Sequence, residues 1–555
     1  VLSVTNPLIP AASQPGLPLD RLILREPPGA DAIELDVLFV GGGPASLAGA
    51  IELARLVQRD NERGNGLGEV AIGVLEKGER LGDHCLSGAV VNPRAFRELF
   101  PDLKDSDFPF GCPVGDEAVH VLREGSSVRI PTPPTMRNHG FFAASLCEMV
   151  RWLGTKAEEL GVNVFAGFPA EALLVDGERV IGARTAPSGL DREGKPMGGY
   201  QPPTDVTAKV TALGEGTRGA LTQAYLQWQR VPSDNPQVYA LGVKELWQIP
   251  RPLERVIHTM GWPLPNDAFG GSFLYPLEPQ VAALGLVVGL DAPDAGLDVH
   301  VLLQRLKLHP LFRGILEGGE LLEWGAKTIP EGGYYALPRR RHGDGTVLLG
   351  DAAGFVNVPA LKGIHYAMQS GMFAARAIFQ ALKRGDTSAK VLAEYDRLVD
   401  ASFIREDLYR TRNMRLAFKD GFYAGGIKAG LMTLSRGRLF GRRIAMHADA
   451  EAPRTRASDS ALTPDGRLTF SKLDAVFRSG NVTRDTVPLH LLPGSDVGRE
   501  VAALYAHMCP AGVYEWVDGT LRINAPNCVD CKATDVLGPR WMPREGGSGP
   551  KYRRM

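Results

Sequence analysis

The plainest pattern along this chain is an unbroken apolar run, Val37 to Val40, then a glycine turn at Gly41 and Gly43, then an Ala- and Leu-rich stretch from Ala45 to Leu56. The run predicts a buried strand and the stretch a helix. A polar insert, Asp60 to Gly68, leads to a second apolar strand ending at Glu76. The pattern then predicts a helix over 141–160 and a strand over 162–165. Strands over 171–175 and 178–183 flank Asp176-Gly177, a two-residue hairpin turn. Residues 206–213 form another strand, followed by the glycine-rich 214–219 and a helix from Ala220. Either the first domain resumes here or the chain makes a plain crossover turn. From Val231 to Trp324 strands at 238–243, 268–275 and 281–290 alternate with Trp, Pro and Gly, which predicts an antiparallel sheet beside the first domain. A strand from Thr346 then opens through Gly350, Asp351 and small residues into a helix over 363–382.

Composition narrows the class. With 555 residues the chain exceeds one core, so several domains are expected. A net charge of −1 carries no nucleic-acid signature. No apolar run approaches the ~18 residues of a membrane span. Residues 1–18 are polar and Pro-rich, without the basic and apolar regions of a secretory signal. Three of the six Cys crowd the C-terminus, which favours metal over a disulfide framework.

The first unit carries the chemistry of a dinucleotide site. A strand, a glycine turn and a helix bring backbone N–H groups and the positive helix end against a pyrophosphate. Gly41, Gly43, Pro44 and Ala45 are the candidate contacts, and Ser46 stands where a third glycine is usual. Glu76, ending the second strand, is placed to accept ribose hydroxyls. Gly350, Asp351 and Gly354 form a Gly-Asp junction whose carboxylate suits a ribityl chain. Taken with Gly41, Gly43 and Glu76, it specifies FAD better than NAD. Cys85 is read as a buried, inert thiol rather than a redox group. Gly270-Gly271 inside a strand marks either a β-bulge or a close approach to the backbone. Residues 405–443 hold ten Lys or Arg against three acids, a net +7, interleaved with apolar residues. Such a segment suits the surface of an anionic bilayer or a solvated helical hairpin.

The C-terminal cysteines give the sharpest signal. Cys509 precedes a hairpin turning at Asp518-Gly519, and Cys528-Val-Asp-Cys531 follows. Iron–sulfur sites take Cys-x-x-Cys-x-x-Cys plus a remote Cys. Cys509, Cys528 and Cys531 fit, but the last position is Thr534. Zinc would lack a fourth ligand too. Zinc stays the rival reading, and an iron–sulfur reading leaves three outcomes open: a 3Fe–4S cluster, a 4Fe–4S cluster completed by water, Asp530 or Asp535, or none.

These segments resemble, in order, those of the electron-transfer flavoprotein:ubiquinone oxidoreductase family, from about residue 31 to the end. The resemblance rests on Gly41 to Ala45, His84 to Gly88, Gly270 to Tyr275, Pro330 to Tyr335, Gly354 to Pro359, Cys509 to Tyr514 and Glu545 to Pro550. It implies a mixed α/β fold in which a Rossmann-like FAD domain is interwoven with an antiparallel-sheet quinone domain, plus a ferredoxin-like iron–sulfur domain. The FAD domain would span 31–230, with a membrane-surface insertion near 85–105, and resume over 335–400. The quinone domain would span 231–334, a basic membrane-surface segment 401–460, and the cluster domain 461–555. It also implies FAD and a 4Fe–4S cluster as cofactors and ubiquinone as substrate, its headgroup at Gly270 and Gly271. The electron donor would be a soluble electron-transfer flavoprotein, and the chain would lie monotopically on the inner face of an energy-conserving membrane. No catalytic acid–base triad is expected. Two rival classes are a flavin-dependent reductase of isoprenoid lipids and a non-catalytic membrane docking module.

Overall fold

The computed structural model describes every residue except Val1, Asn65, Asp459 and Ser460. A nine-stranded sheet carries the first domain. Its order is Ile23–Leu24, Ala170–Asp176, Arg179–Thr185, Asp205–Leu213, Ile33–Val40, Ile72–Glu76 and Asn163–Ala166, with Thr346–Leu348 paired to Asp205–Leu213 off this path and His342–Gly343 paired to Thr346–Leu348. Asp205–Leu213 runs parallel to Ile33–Val40, so the second strand–turn–helix does return to the first sheet. Val37, Leu38 and Phe39 are fully buried, as the unbroken apolar run requires of a strand covered on both faces. Helices Pro44–Glu62 and Ile364–Arg384 pack against each other on this sheet. A Cβ on Gly371 would stand 1.9 Å from the Ala45 carbonyl oxygen, and one on Gly49 3.0 Å from that of Gly371. The close approach rests on those two glycines, which frees the third turn position for Ser46, itself fully buried.

A seven-stranded sheet makes the second domain. Its order is Glu320–Pro330, Tyr239–Gln248, Val281–Gly289, Gly270–Glu278, Arg255–Gly261, Asp116–Arg123 and Ser126–Ile130. The last two strands lie within residues 31–230 yet join this sheet, and Asp116–Arg123 pairs in parallel with Arg255–Gly261. The chain between them passes through the first domain, which supplies the long crossover that parallel pairing needs.

The C-terminal region folds onto the second sheet rather than beside it. Helix Arg499–Met508 gives Tyr505, hairpin Tyr514–Val517/Thr520–Ile523 gives Tyr514, helix Ala533–Leu537 gives Val536 and Leu537, and the segments between them give Cys509, Cys528 and Cys531 to the same buried cluster as Trp247, Trp324 and Leu321. Met555, the last residue, is buried beside Cys147 of the first domain.

Three expectations are revised. The helix over 141–160 is Leu146–Glu158, because Phe142–Ala143 pairs with Val90–Val91 and Ser145 caps the helix on the Glu148 N–H. The apolar side chains of 85–105 do not form an outer surface. Val90, Val91, Phe96, Leu99 and Phe100 are buried, and Phe96 and Phe100 pack with Phe108 and Trp152. The charge of 405–443 is only partly superficial. Arg415 is buried between Glu331 at 2.8 Å and Asp291 at 2.9 Å, and Arg412 lies over the Tyr409 ring. Among the described residues no helix is long and apolar enough to cross a membrane.

Candidate functional site

A cavity of ≈ 330 Å³ opens between the two sheets. The turn Gly41 to Ala45 lines it, as do Glu76, Gly350 and Asp351, so the candidate residues of three separate segments meet in one place. Two long helices point their N-termini into it. Pro44–Glu62 starts at Gly43 and Ile364–Arg384 at Gly363, and neither has a side-chain cap. Their orphan N–H groups and positive ends are ready for anionic groups. Gly354 does not line the cavity. It holds a left-handed turn, φ +84°, where a Cβ would reach 2.9 Å from the Gln237 Nε2.

The glycines of the turn divide by role. A Cβ on Gly41 would meet the Gly214 carbonyl oxygen at 2.6 Å, at a φ of +97°, so Gly41 is fixed by the fold. A Cβ on Gly43 would meet nothing within 4 Å. The space in front of Gly43 is where a pyrophosphate would lie against the helix N-terminus. Glu76 is held ready beside it: Oε2 accepts from the Gly42 N–H at 2.9 Å and Oε1 from the Gly78 N–H at 2.7 Å. Each oxygen keeps a lone pair for a hydroxyl. Burial pushes Asp351 up to about 6. These residues fit FAD: Glu76 would hold ribose, Gly41 to Ala45 the pyrophosphate and Asp351 the ribityl chain.

Several lining residues escaped the sequence reading. Lys77, His84, Lys244, Lys327, Lys362 and His365 all face the cavity. Burial lowers Lys362 to about 7 and Lys244 to about 8. Nothing in the local pattern marks these lysines, since each lies in an ordinary strand or loop. Cys85, expected to be buried, is only partly so and lines the cavity, where desolvation pushes its thiol up to about 12.

Gly270 and Gly271 do not line this cavity. They begin strand Gly270–Glu278, in regular register with Val288 and Val287, so they are not a bulge. A Cβ on Gly270 would stand 2.1 Å from the Val287 carbonyl oxygen and one on Gly271 2.7 Å from that of Thr259. Their neighbours Phe273, Tyr275 and Val287 do line the cavity. Beside them, the Phe422 N–H donates to the Asn266 carbonyl at 2.7 Å and Phe269 packs on Phe418. The apolar segment following Arg415 is thereby fixed at the mouth of this strand.

The three cysteines are free and buried in one cluster. Burial raises all three thiols, Cys528 to about 12. Such thiols become thiolates only against a metal, which is how a cluster is held. Thr534 is buried with them, next to the Tyr514 hydroxyl. Three thiols fit an iron–sulfur cluster and the fourth corner lacks one. The strand Glu320–Pro330 separates this group from the cavity. Thr328 lines the cavity and donates its N–H to the Cys531 carbonyl at 2.9 Å, while Lys327 Nζ donates to the Asp530 carbonyl at 3.2 Å. One strand thus touches both sites.

A dinucleotide cavity backed by a cysteine cluster defines an FAD-dependent oxidoreductase with an iron–sulfur domain. The fold is shared with a geranylgeranyl bacteriochlorophyll reductase-like protein of Thermoplasma acidophilum, with a TM-score of 0.55 and 17% identity over 73% of this chain and 92% of that one. It is also shared with a myxobacterial FAD-dependent halogenase, at 0.50 and 20% over 73% and 91%. Residues 239–329 match the ETF-QO ubiquinone-binding family model, and 466–553 the electron transfer flavoprotein-ubiquinone oxidoreductase 4Fe-4S model. The mitochondrial electron transfer flavoprotein-ubiquinone oxidoreductase of Oryza sativa is 38% identical over 95% of this chain and 94% of its own. The Pseudomonas aeruginosa protein is 37% identical over 94% and 99%, and the Homo sapiens protein 37% over 94% and 90%. The chain belongs to the electron transfer flavoprotein-ubiquinone oxidoreductase family.

Proposed function

We propose that this chain accepts electrons from reduced electron transfer flavoprotein and delivers them to ubiquinone at a membrane surface. The observation that carries the reading is the single strand, Glu320–Pro330, that lines the flavin cavity with Thr328 and holds the cysteine peptide through the same residue. FAD and the cluster supply one-electron storage and transfer when bound. The chain positions them, keeps both sites buried, and places around the cavity Lys244, Lys327 and Lys362, whose ammonium forms burial disfavours and an anionic reduced state would favour. Val287, Phe273 and Tyr275 offer an apolar wall to a quinone ring arriving past Gly270 and Gly271.

The membrane contact belongs to helix Phe422–Leu434. Tyr423, Ile427, Leu431 and Leu434 fall on one face by their spacing, and Leu434 is 82% exposed. An apolar face with Lys419, Lys428 and Arg438 nearby suits shallow insertion into an anionic leaflet. Family members are mitochondrial and bacterial, and the matching locations are the matrix face or the cytoplasmic face of the inner membrane. The rival reading as an isoprenoid-lipid reductase has only a shared fold at 17% identity behind it, whereas residues 466–553 match the 4Fe-4S model.

The test is reconstitution with FAD, iron and sulfide, followed by stopped-flow mixing with reduced electron transfer flavoprotein and a short-chain ubiquinone. Flavin reduction by the donor and reoxidation by quinone are expected. A chain that binds FAD but exchanges no electrons would be a docking module instead.

A further inference from the structure

The corner of the cysteine group at Thr534 departs from a four-thiolate site, and the structure removes the substitutes that the sequence left open. Asp535 is fully committed elsewhere. Its Oδ2 accepts from Arg218 Nε at 2.8 Å and Gln223 Nε2 at 3.0 Å, and its Oδ1 from the Trp541 N–H at 3.0 Å. Asp530 is equally engaged: Oδ1 accepts from Trp541 Nε1 at 2.9 Å and Arg544 at 3.0 Å, and Oδ2 from Lys77 at 2.6 Å. Turning either carboxylate towards iron would strand buried cations, at a cost of several kcal/mol. His490 is buried, with neither ring nitrogen bonded. It stands with Cys528 and Asp530, its ligand atom within 4.8 Å of theirs, on the side of the group that already carries the Cys528 thiol. What remains beside the three thiols is the neutral Thr534 hydroxyl, which faces the buried Tyr514 hydroxyl. A neutral alcohol is a poor iron ligand beside three thiolates.

We propose that the Thr534 corner is an exchangeable-iron site: three irons are anchored by Cys509, Cys528 and Cys531, and the fourth is held without a protein thiolate. Oxidation releases it, [4Fe–4S]2+ giving [3Fe–4S]+, Fe2+ and one electron taken by an added oxidant. Reduction in the presence of Fe2+ runs the step backwards. The same corner would admit another thiophilic divalent cation. The inference rests on the family reading for the presence of a cluster, and on this chain's residues for its open corner.

The experiment uses the anaerobically purified holoprotein and reads iron, sulfide and paramagnetism, so it does not depend on quinone turnover. Ferricyanide with EDTA should remove one quarter of the cluster iron, leave the labile sulfide in place and produce an oxidised three-iron paramagnetic signal. Fe2+ with dithionite should erase that signal. T534C should hold all its iron under the same treatment, and T534A should behave as the wild type. Should T534C fail to fold, labelling with 57Fe decides on the wild type alone: one iron in four should exchange quickly. Loss of no iron, loss of all iron together, or identical behaviour of wild type and T534C would overturn the open corner. So would a protein that takes up FAD but no iron. A failure of the wider reading would show separately, as absent electron transfer in a protein with full iron and flavin.

Discussion

Lys77 Nζ lies 2.6 Å from Asp530 Oδ2, so the residue after the cavity carboxylate Glu76 is ion-paired to a residue between Cys528 and Cys531. His84 and Arg544 complete the ring around the same carboxylate. The pair ties the flavin loop to the cysteine peptide and fixes their spacing. Asp530→Ala should therefore strand Lys77 and Arg544 and cost about 3–5 kcal/mol. Lys77→Met leaves Asp530 with Arg544 and Trp541 and should cost about 1–3 kcal/mol. Denaturant unfolding of the two variants should show that order, and equal losses would mean that the network is not cooperative around Asp530.

That link shows what a sequence can and cannot disclose. The first strand, its glycine turn and helix, the Asp176-Gly177 hairpin and the Asp351 junction were legible because each is a local pattern. So was the meeting of Gly41, Glu76 and Asp351, since the spacing of one dinucleotide site determines it. Lys77 and Asp530 are 453 positions apart, and nothing local marks either as paired. Arg412 and Arg415 looked like surface charge for the same reason: the acids that bury Arg415, Asp291 and Glu331, lie far back in the chain. The edge hairpin 116–130 was missed because one of its strands is largely exposed and carries no apolar alternation.

The glycine turn offers a clean separation of folding from cofactor binding. Gly41→Ala must adopt φ +97° and push against Gly214, at a cost of about 1–3 kcal/mol to the protein with or without cofactor. Gly43→Val has open space and ordinary dihedrals, so the apoprotein should unfold as the wild type does. Its FAD affinity should fall roughly 100-fold or more, about 2.8 kcal/mol. Calorimetry on apoprotein with added FAD measures both quantities. Stoichiometric flavin in Gly43→Val would move the pyrophosphate elsewhere.

For quinone, Gly271→Leu is a poor probe, because its side chain would drive into the Thr259 carbonyl and distort the sheet. Val287, the cross-strand partner of Gly271, lines the cavity and is the better choice. Val287→Phe should raise the apparent KM for quinone about 10-fold, equivalent to about 1.4 kcal/mol. Flavin content and reduction by the donor should not change. An unaltered KM would place the quinone away from this wall.

Membrane binding should depend on apolar contact more than on the buried arginines. Ile427→Gln and Leu434→Gln act on side chains that are 68% and 82% exposed, so folding should be unaffected. Each should lose up to about 1.5–3 kcal/mol of bilayer affinity, read by sedimentation with anionic vesicles. Arg415→Gln should instead destabilise the fold itself, by leaving Glu331 buried without its partner. Vesicle binding that ignores Ile427 and Leu434 would return this helix to a solvated role.

Lys362 supplies a pH signature. Burial lowers its ammonium to about 7, with Glu117 opposing the shift. The unfolded chain binds the proton more readily than the folded one, so stability rises with pH. The contribution is fully present above the ordinary lysine value of 10.5 and is lost as pH falls through about 7. Because Lys362 faces the cavity, the change is taken as about 1–3 kcal/mol rather than the full shift. Lys362→Met should flatten this dependence, making the apoprotein more stable than wild type at pH 7 and equal to it near pH 10.5. In the flavin-loaded protein the sign reverses. Removing a cation beside the N-terminus of helix Ile364–Arg384 withdraws charge that favours anionic reduced flavin. The flavin midpoint potential should fall, as measured by anaerobic dye titration. A variant that alters unfolding but leaves the potential untouched would show that Lys362 faces the cavity without reaching the flavin.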